Sequence, residues 1–211
     1  MDLAAYFANR DPSQDSPAMM PVHIAGASRD DLPAYFRSRG YTSGAEIGVY
    51  RGDYSLALCE GIPGLRLICV DRWCPYVSGK SGKTIFRSSI PAYKEAQTRL
   101  ALYDATLVKL DSLLAAKDVP DKSLDFVYID ADHWFQAVVA DLAAWVPKVR
   151  SGGVVAGHDY DRVLGADNRV RHAVAGWTAA HEILPWFVLG RFKIRRGEHK
   201  DPQLTWLWMV P

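Results

Sequence analysis

The chain has 211 residues, 49% of them apolar, and a formal net charge of +1. This length and composition suit one domain with a full hydrophobic core, and the balanced charge lacks the basic excess of a dedicated nucleic-acid-binding protein. Three cysteines without a Cys-x-x-Cys pair, the lack of a long apolar run and the lack of a signal-peptide pattern predict a cytoplasmic protein without disulfides or a membrane span.

The N-terminal part, residues 1–40, is predicted to be an extension of short helices and loops. A first helix is expected over residues 2–10 and a loop rich in proline and serine over residues 11–28. A second helix is expected from Asp31, as its cap, to Arg39, and Gly40 would end it. The length of the chain suits one domain, so residues 1–211 are interpreted as a single domain with this extension at its edge.

From residue 45 onwards, short apolar runs alternate with segments of helical periodicity. Strands are expected at residues 45–49, 65–70, 106–110, 124–129, 153–157, 183–189 and 204–209, and the main helices at residues 54–60, 91–103, 134–146 and 168–180. This alternation predicts a doubly wound α/β fold with a mostly parallel, seven-stranded sheet that helices cover on both faces.

Two segments of this pattern have alternative interpretations. Residues 72–90 form a long connection, expected to be either a mobile substrate lid or a surface loop. Its SGKSGKT stretch lacks the first glycine of a phosphate-binding loop because Val77 occupies that position. The last two strands carry Trp186, Phe187, Trp206 and Trp208, which belong either to the core or to the seam of a homodimer.

Glycines and ionisable residues follow each of the first five strands. They are the Gly48-to-Ser55 loop, Asp71, the Asp111–Ser112 pair, the Asp130-to-His133 stretch and the His158-to-Tyr160 stretch. Because the carboxyl ends of parallel strands lie at one edge of a sheet, we expect these residues to converge on one ligand site. The glycine loop, the acid Glu46 and the paired oxygens of Asp71 favour a nucleoside-type ligand with a positive end.

Four stretches together resemble the motifs of class I S-adenosylmethionine-dependent methyltransferases. They are EIGVYRGDYS at residues 46–55, VDRW at 70–73, DADH at 130–133 and SGGVVAGHDY at 151–160. The resemblance is closest to small O-methyltransferases of the catechol and caffeoyl-CoA type and their bacterial relatives. It implies a Rossmann-like methyltransferase fold, S-adenosyl-L-methionine as cofactor, and a small-molecule acceptor such as a glycan, a phenol or a natural-product intermediate.

The same resemblance assigns the cofactor-binding residues. They are Glu46, Gly48, Tyr50, Gly52, Ser55, Asp71, Arg72, Asp111, Ser112 and Asp130. Trp134 is interpreted either as a cover for the adenine edge or as a core residue. Asp53 has no counterpart in the motif and is expected to cap the following helix.

The resemblance also implies where catalysis takes place. Asp130, His158 and Asp159 match the positions that bind a divalent cation such as Mg²⁺ in metal-dependent relatives, although His158 stands where those relatives carry aspartate. The alternative to a metal site is a hydrogen-bonded network. His133 matches a lysine that removes the acceptor proton, so it is the expected general base, and His158 is the rival base.

Two other functions are compatible with the same residues. A metal-assisted hydrolase would use Asp130, Asp132, His158 and Asp159, but it would leave the glycine loop without a role. A non-catalytic module would bind S-adenosyl-L-methionine without transferring its methyl group.

Overall fold

A computed structural model describes residues 3–7, 20–77, 84–85, 89–160, 169–190 and 203–211. The helices are α1 (Leu3–Phe7), α2 (Leu32–Ser38), α3 (Asp53–Gly61), α4 (Ser89–Leu100), α5 (Ser112–Ala115), α6 (Phe135–Trp145) and α7 (Val170–Ala180). The strands are β1 (Val22–Ile24), β2 (Ser43–Ile47), β3 (Arg66–Asp71), β4 (Tyr76–Val77), β5 (Thr84–Ile85), β6 (Ala105–Lys109), β7 (Leu124–Ile129), β8 (Val149–Gly157), β9 (Trp186–Leu189) and β10 (Thr205–Met209).

The main sheet has the strand order β1-β9-β10-β8-β7-β2-β3-β6. Its strands pair in parallel except for β10, which is antiparallel to both β8 and β9. The doubly wound α/β prediction is therefore confirmed. The predicted number of strands was wrong, because the described part of the main sheet has eight strands rather than seven.

The additional strand is β1, within the segment that the sequence predicted to be a loop. It has three residues and lies at the edge of the sheet, parallel to β9. Such a short edge strand shows no run of apolar residues, and it forms because β9 offers unpaired backbone groups. Residues 11–19 of the predicted loop lie outside the described residues.

Helices cover both faces of the sheet, as the hydrophobic pattern of the sequence predicts. One core lies beneath α1 to α4 and includes Tyr35, Phe36, Leu58 and Leu100. The other lies beneath α5 to α7 and includes Leu142, Trp145 and Val174. The strands between them have two buried faces, which explains why β7 is buried at every position.

The aromatic residues of the last two strands belong to the core. Trp186, Phe187, Trp206 and Trp208 are all buried within the single chain, which confirms the core interpretation. A homodimer stays a prediction. None of the helices in the described ranges has the length and hydropathy that a membrane crossing requires.

Part of the long connection after β3 is ordered as a small ribbon. Strands β4 and β5 pair with each other in antiparallel orientation, and they form a two-stranded sheet separate from the main one. Residues 78–83 and 86–88, including most of the SGKSGKT stretch, lie outside the described residues. A substrate lid at residues 72–90 stays a prediction.

Candidate active site

The loop after β2 is held against the end of β7, and its geometry requires glycine at position 48. Gly48 has a φ of +95°, and a Cβ at this position would lie 2.0 Å from the carbonyl oxygen of Asp130. The peptide N–H of Gly48 donates to Val70 (2.8 Å), and that of Asp130 donates to Ile47 (2.7 Å). The close backbone approach therefore ties the glycine loop to Asp130.

Asp71 holds two loops together at the end of β3. One carboxylate oxygen accepts the peptide N–H of Tyr50 at 2.8 Å, and the other accepts that of Trp73 at 2.7 Å. The indole N–H of Trp73 donates to the carbonyl of Tyr50 at 2.7 Å. Both Tyr50 (φ 50°) and Trp73 (φ 41°) have left-handed backbone conformations, which are unfavourable for residues with side chains. Charge-assisted hydrogen bonds to Asp71 stabilise these conformations.

A cleft of about 260 Å³ opens between these loops and the helices α5 and α6. Its lining contains predicted cofactor residues from four strand ends: Gly48, Tyr50, Asp71, Arg72, Asp111, Ser112 and Asp130. The convergence of these strand ends at one site is the arrangement expected from the sequence. Further lining residues that the sequence analysis did not assign to the cofactor include Trp73, Leu110, Leu113, Asp132, Ala137, Ala140 and Asp141.

Glu46, Gly52 and Ser55 were also expected to hold the cofactor, but they do not line this cleft. Glu46 is 2% exposed and accepts a hydrogen bond from the hydroxyl of Ser55. Burial raises the pKa of Glu46 to about 8, because a desolvated carboxylate is costly. Gly52, with φ +80°, begins helix α3. Their direct contact with a cofactor stays a prediction.

Asp53, expected to cap α3, occupies the first turn of that helix, and Gly52 is the cap residue itself. The carboxylate of Asp53 lies 3.3 Å from the guanidinium of Arg99 in α4. An acid in the first turn still interacts favourably with the helix dipole.

Asp111 and Ser112 position the short helix α5 at one end of the cleft. The Asp111 side chain accepts the peptide N–H of Leu113 at 3.0 Å and thereby caps the helix. The hydroxyl of Ser112 donates to the carboxylate of Asp141 in α6 at 2.5 Å. Burial raises the pKa of Asp141 to about 6, and the nearby charges of Asp111 and Asp132 add to this effect.

An acid–imidazole cluster lies at the other end of the cleft, where β7 and β8 end. It consists of Asp130, His133, His158 and Asp159. His133 Nε2 lies 2.9 Å from Asp159 Oδ2 and 3.8 Å from Asp130 Oδ1. His158 Nδ1 lies 3.5 Å from Asp159 Oδ2 and 3.7 Å from Asp130 Oδ2. The structure thus brings together all the residues expected to take part in catalysis or in metal binding.

The protonation of this cluster follows from its geometry. Burial alone would lower the pKa of His133, but the hydrogen bonds and charges of Asp130 and Asp159 outweigh burial and raise it to about 10. The two imidazoles in turn hold the pKa of Asp159 well below its usual range, against the effect of burial. In this geometry, the two carboxylates favour the protonated form of His133.

A family model described as a methyltransferase domain matches residues 45–160, which is more than half of the chain. The chain belongs to the methyltransferase-domain family. The motif resemblance is therefore confirmed, and the domain is of the S-adenosyl-L-methionine-dependent class.

One curated relative of this methyltransferase domain is the uncharacterized protein y4gI of Sinorhizobium fredii. It is 26% identical over 119 residues, which are 54% of this chain and 12% of y4gI. The chain thus spans about an eighth of the length of that relative.

Solved structures share the fold at low sequence identity. Cofactor-bound Rv0187 from MTB has a TM-score of 0.64 and 16% identity, with 98% of this chain and 86% of that chain covered. An O-methyltransferase from Bacillus cereus in complex with SAH has a TM-score of 0.58 and 17% identity, with coverages of 97% and 86%. These similarities confirm the Rossmann-like methyltransferase fold.

Arg29 is a residue of the methyltransferase domain's site that the sequence analysis missed. Its guanidinium lies 3.6 Å from Asp130 Oδ2 and over the ring of Tyr54, at 5.2 Å from the centroid. Arg29 precedes the matched region 45–160, and a capping box between Ser28 and Asp31 fixes its position. Asp31 occupies the N-cap position of α2, as predicted, but its side chain accepts the peptide N–H of Ser28 and makes no capping hydrogen bond to α2. The capping box is visible in the sequence, but its proximity to Asp130 is not.

Trp134 was expected either to cover the adenine or to belong to the core. It is partly buried, precedes α6 and does not line the cleft. Its peptide N–H donates to Asp132 at 3.0 Å. Neither interpretation of the indole is favoured by this position.

Proposed function

We propose that this domain binds S-adenosyl-L-methionine in the cleft and methylates a hydroxyl group of a small molecule. The acceptor is a glycan, a phenol or a natural-product intermediate. The observation that carries the proposal is the position of Asp130, which lines the cleft and belongs to the acid–imidazole cluster. A donor in the cleft and an acceptor at the cluster would therefore meet at one residue.

The residues of the cleft fit this cofactor. Asp71 lies beside the glycine loop, and its oxygens suit the ribose hydroxyls while they hold Tyr50 and Trp73. The lining includes more acids than bases, since Asp71, Asp111, Asp130, Asp132 and Asp141 accompany Arg72, which favours a cationic ligand. When bound, S-adenosyl-L-methionine supplies an activated methyl group that needs no nucleophilic serine or cysteine of the protein.

The acid–imidazole cluster provides the proton chemistry of the acceptor. Because the carboxylates of Asp130 and Asp159 raise the pKa of His133, we assign it the role of orienting the acceptor oxygen. His158 is then the remaining imidazole for the role of general base, and it must be neutral to act. Its Nδ1 faces both Asp130 and Asp159, so the same carboxylates orient its ring. Asp130 positions both imidazoles.

A divalent cation at the cluster is a further part of the proposal. One ligand atom each from Asp130, His133 and Asp159 lie within 4.8 Å of one another, so this set supplies the donors for a metal ion if His133 loses its proton. The predicted metal site contained His158, whereas this set contains His133 in its place. Carboxylates suit Mg²⁺, whereas either imidazole shifts the preference towards transition metals. When bound, such an ion lowers the pKa of an acceptor hydroxyl.

Calorimetry with S-adenosylhomocysteine, with and without Mg²⁺ or Mn²⁺, tests the proposal directly. We expect saturable micromolar binding, which an Asp71→Asn variant weakens. A Gly64→Ala variant is the matched control, because Gly64 lies in the turn before β3, away from the cleft. Failure of the unmodified domain to bind the compound would refute the proposal, and a cation effect on affinity would support the metal site.

The variants His133→Asn and Asp159→Asn help to distinguish a methyltransferase from the two alternative functions, a metal-assisted hydrolase and a non-catalytic cofactor-binding module. In a methyltransferase, both variants lose transfer of a labelled methyl group to an acceptor while they keep binding S-adenosylhomocysteine. Hydrolysis without a cofactor would favour a metal-assisted hydrolase. Binding without transfer to any hydroxyl of a broad acceptor panel would favour a non-catalytic module. Cytoplasmic location, a homodimer and the lack of nucleic-acid binding stay predictions.

A further inference from the structure

The glycine loop between β2 and α3 keeps an unusual backbone conformation. Tyr50 has a φ of 50° and Gly52 a φ of +80°, and the peptide N–H of Gly52 donates to the carbonyl of Val49 at 2.9 Å. A non-glycine residue in the left-handed region is unfavourable, so other groups must hold the peptides of this loop in place. Asp71 and Trp73, which both line the cleft, hold the N–H and the carbonyl of Tyr50.

The next carbonyl of the loop, that of Arg51, is held by a side chain of helix α4. The guanidinium of Arg99 donates to it through Nη1 at 2.7 Å. The same nitrogen lies 3.1 Å from Glu95 Oε2, and Nη2 lies 3.3 Å from Asp53 Oδ1. These two acids fix the planar fork of the guanidinium in the orientation that reaches the carbonyl. Unlike Asp71 and Trp73, Arg99 does not line the cleft.

Helix α4 also packs directly against the loop. A Cβ at Gly52 would lie 3.2 Å from the Cα of Ala96 and 3.6 Å from Cδ1 of Leu100. Because the loop and the helix are in close contact at this point, the bond from α4 fixes the peptide that joins Arg51 to Gly52. A rotation of that peptide would change the conformation of the neighbouring Tyr50, which lines the cleft.

We propose that Arg99 is a positioning residue, which lies outside the cleft and holds the glycine loop in the conformation required for cofactor binding. The inference rests on the proposed function, because it takes the glycine loop to contact S-adenosyl-L-methionine. Replacing Arg99 removes no group of the cleft lining. A loss of affinity in the folded variant would therefore come from the loop, whose peptides the domain would have to order again on binding.

The test compares Arg99→Met with Arg150→Met by thermal unfolding and by calorimetry with S-adenosylhomocysteine. Arg150 is the matched control, because its guanidinium bonds to Asp125 Oδ1 at 2.7 Å and to the carbonyl of Ser151 at 2.9 Å. It lies at the start of β8, at the opposite end of that strand from the cluster. We expect both variants to melt earlier than the unmodified domain. Only Arg99→Met should lose affinity, by about 3- to 10-fold, while Arg150→Met stays within about twofold.

Amide hydrogen exchange gives a second readout that needs no ligand. Without the bond from α4, the loop opens more often, and its peptide N–H groups become accessible to water. We expect the amides of Tyr50 and Gly52 to exchange at least about threefold faster in Arg99→Met than in Arg150→Met. A role of Arg99 in overall stability alone would not single out these two amides.

Three results would overturn the inference: an unchanged affinity in Arg99→Met, an equal loss of affinity in Arg150→Met, or unchanged exchange of the loop amides. All three differ from a failure of the proposed function, in which the unmodified domain itself does not bind S-adenosylhomocysteine. Should Arg99→Met not fold, Arg99→Lys takes its place. Lysine keeps a cation beside the two acids but lacks the planar fork, so we expect a loss of affinity of about threefold or more, and an unchanged affinity counts against the role.

Discussion

Replacement of Gly48 by alanine is predicted to damage both the fold and the cofactor cleft. The new Cβ would lie 2.0 Å from the carbonyl oxygen of Asp130 and 2.7 Å from the Cα of Ala131. These atoms are backbone, so no side chain can rotate away, and the loop and the end of β7 must separate by more than 1 Å to reach normal contact distances of about 3.4 Å. The φ of +95° adds a conformational cost.

A second glycine separates the conformational and the steric contributions to the stability that Gly48→Ala loses. Gly64 has a φ of +78°, and a Cβ there would have no atom within 4 Å. Gly64→Ala therefore measures the conformational cost alone, about 1 to 2 kcal/mol. Gly48→Ala adds overpacking of about 1 to 3 kcal/mol. For a chain of this size, each kcal/mol lowers the melting temperature by about 2 to 4 °C.

The assay is thermal unfolding of both variants beside the unmodified domain, followed by calorimetry with S-adenosylhomocysteine. We expect Gly48→Ala to melt at least about 2 °C below Gly64→Ala, and its affinity to fall about tenfold or more because the displaced Asp130 lines the cleft. Equal losses of stability in the two variants would refute the steric argument. Unchanged affinity in Gly48→Ala would refute the role of the loop in binding.

Three further predictions concern charged groups of the site. Asp71→Asn leaves one of the peptide N–H groups of Tyr50 and Trp73 without an acceptor, so affinity for S-adenosylhomocysteine falls roughly 10- to 100-fold in calorimetry; an unchanged affinity would contradict this. The folded-state pKa of Glu46 is about 8 against 4.5 for the unperturbed group, so its ionisation destabilises the fold increasingly from pH 4.5 to 8. Glu46→Gln should therefore gain stability relative to the unmodified domain over that range, by up to about 5 kcal/mol above pH 8 in urea unfolding, and a constant difference at all pH values would count against it. Asp159→Asn removes the carboxylate 2.9 Å from His133 Nε2, so the pKa of His133 falls from about 10 by about one to three units in an NMR titration; a pKa that stays near 10 would assign the shift to Asp130 instead.

The sequence alone determined the fold class and the edge of the sheet where the site lies. Alternation of apolar strands with amphipathic helices is a local pattern, and the rule that ligands bind at the carboxyl ends of parallel strands is general. Gly48, Asp71 and Asp130 could be placed at this edge because each lies at the end of a predicted strand, and the motif resemblance assigned them to the cofactor. The short edge strand β1 could not, because three residues carry too little periodicity.

Only the tertiary structure decided which side chains meet, because contacts between residues far apart in the chain cannot be inferred from the spacing of residues in the sequence. Glu46 lies directly beside the glycine loop in sequence, yet it points into the core and bonds to Ser55. Asp141 reads in the sequence as an ordinary polar position of a helix, but the packing of α5 against α6 buries it at the end of the cleft. His133 was the expected base, and only the packing of the strand ends places two carboxylates beside it that raise its pKa. Electrostatic environment depends on distance and burial, and both are set by how the elements pack.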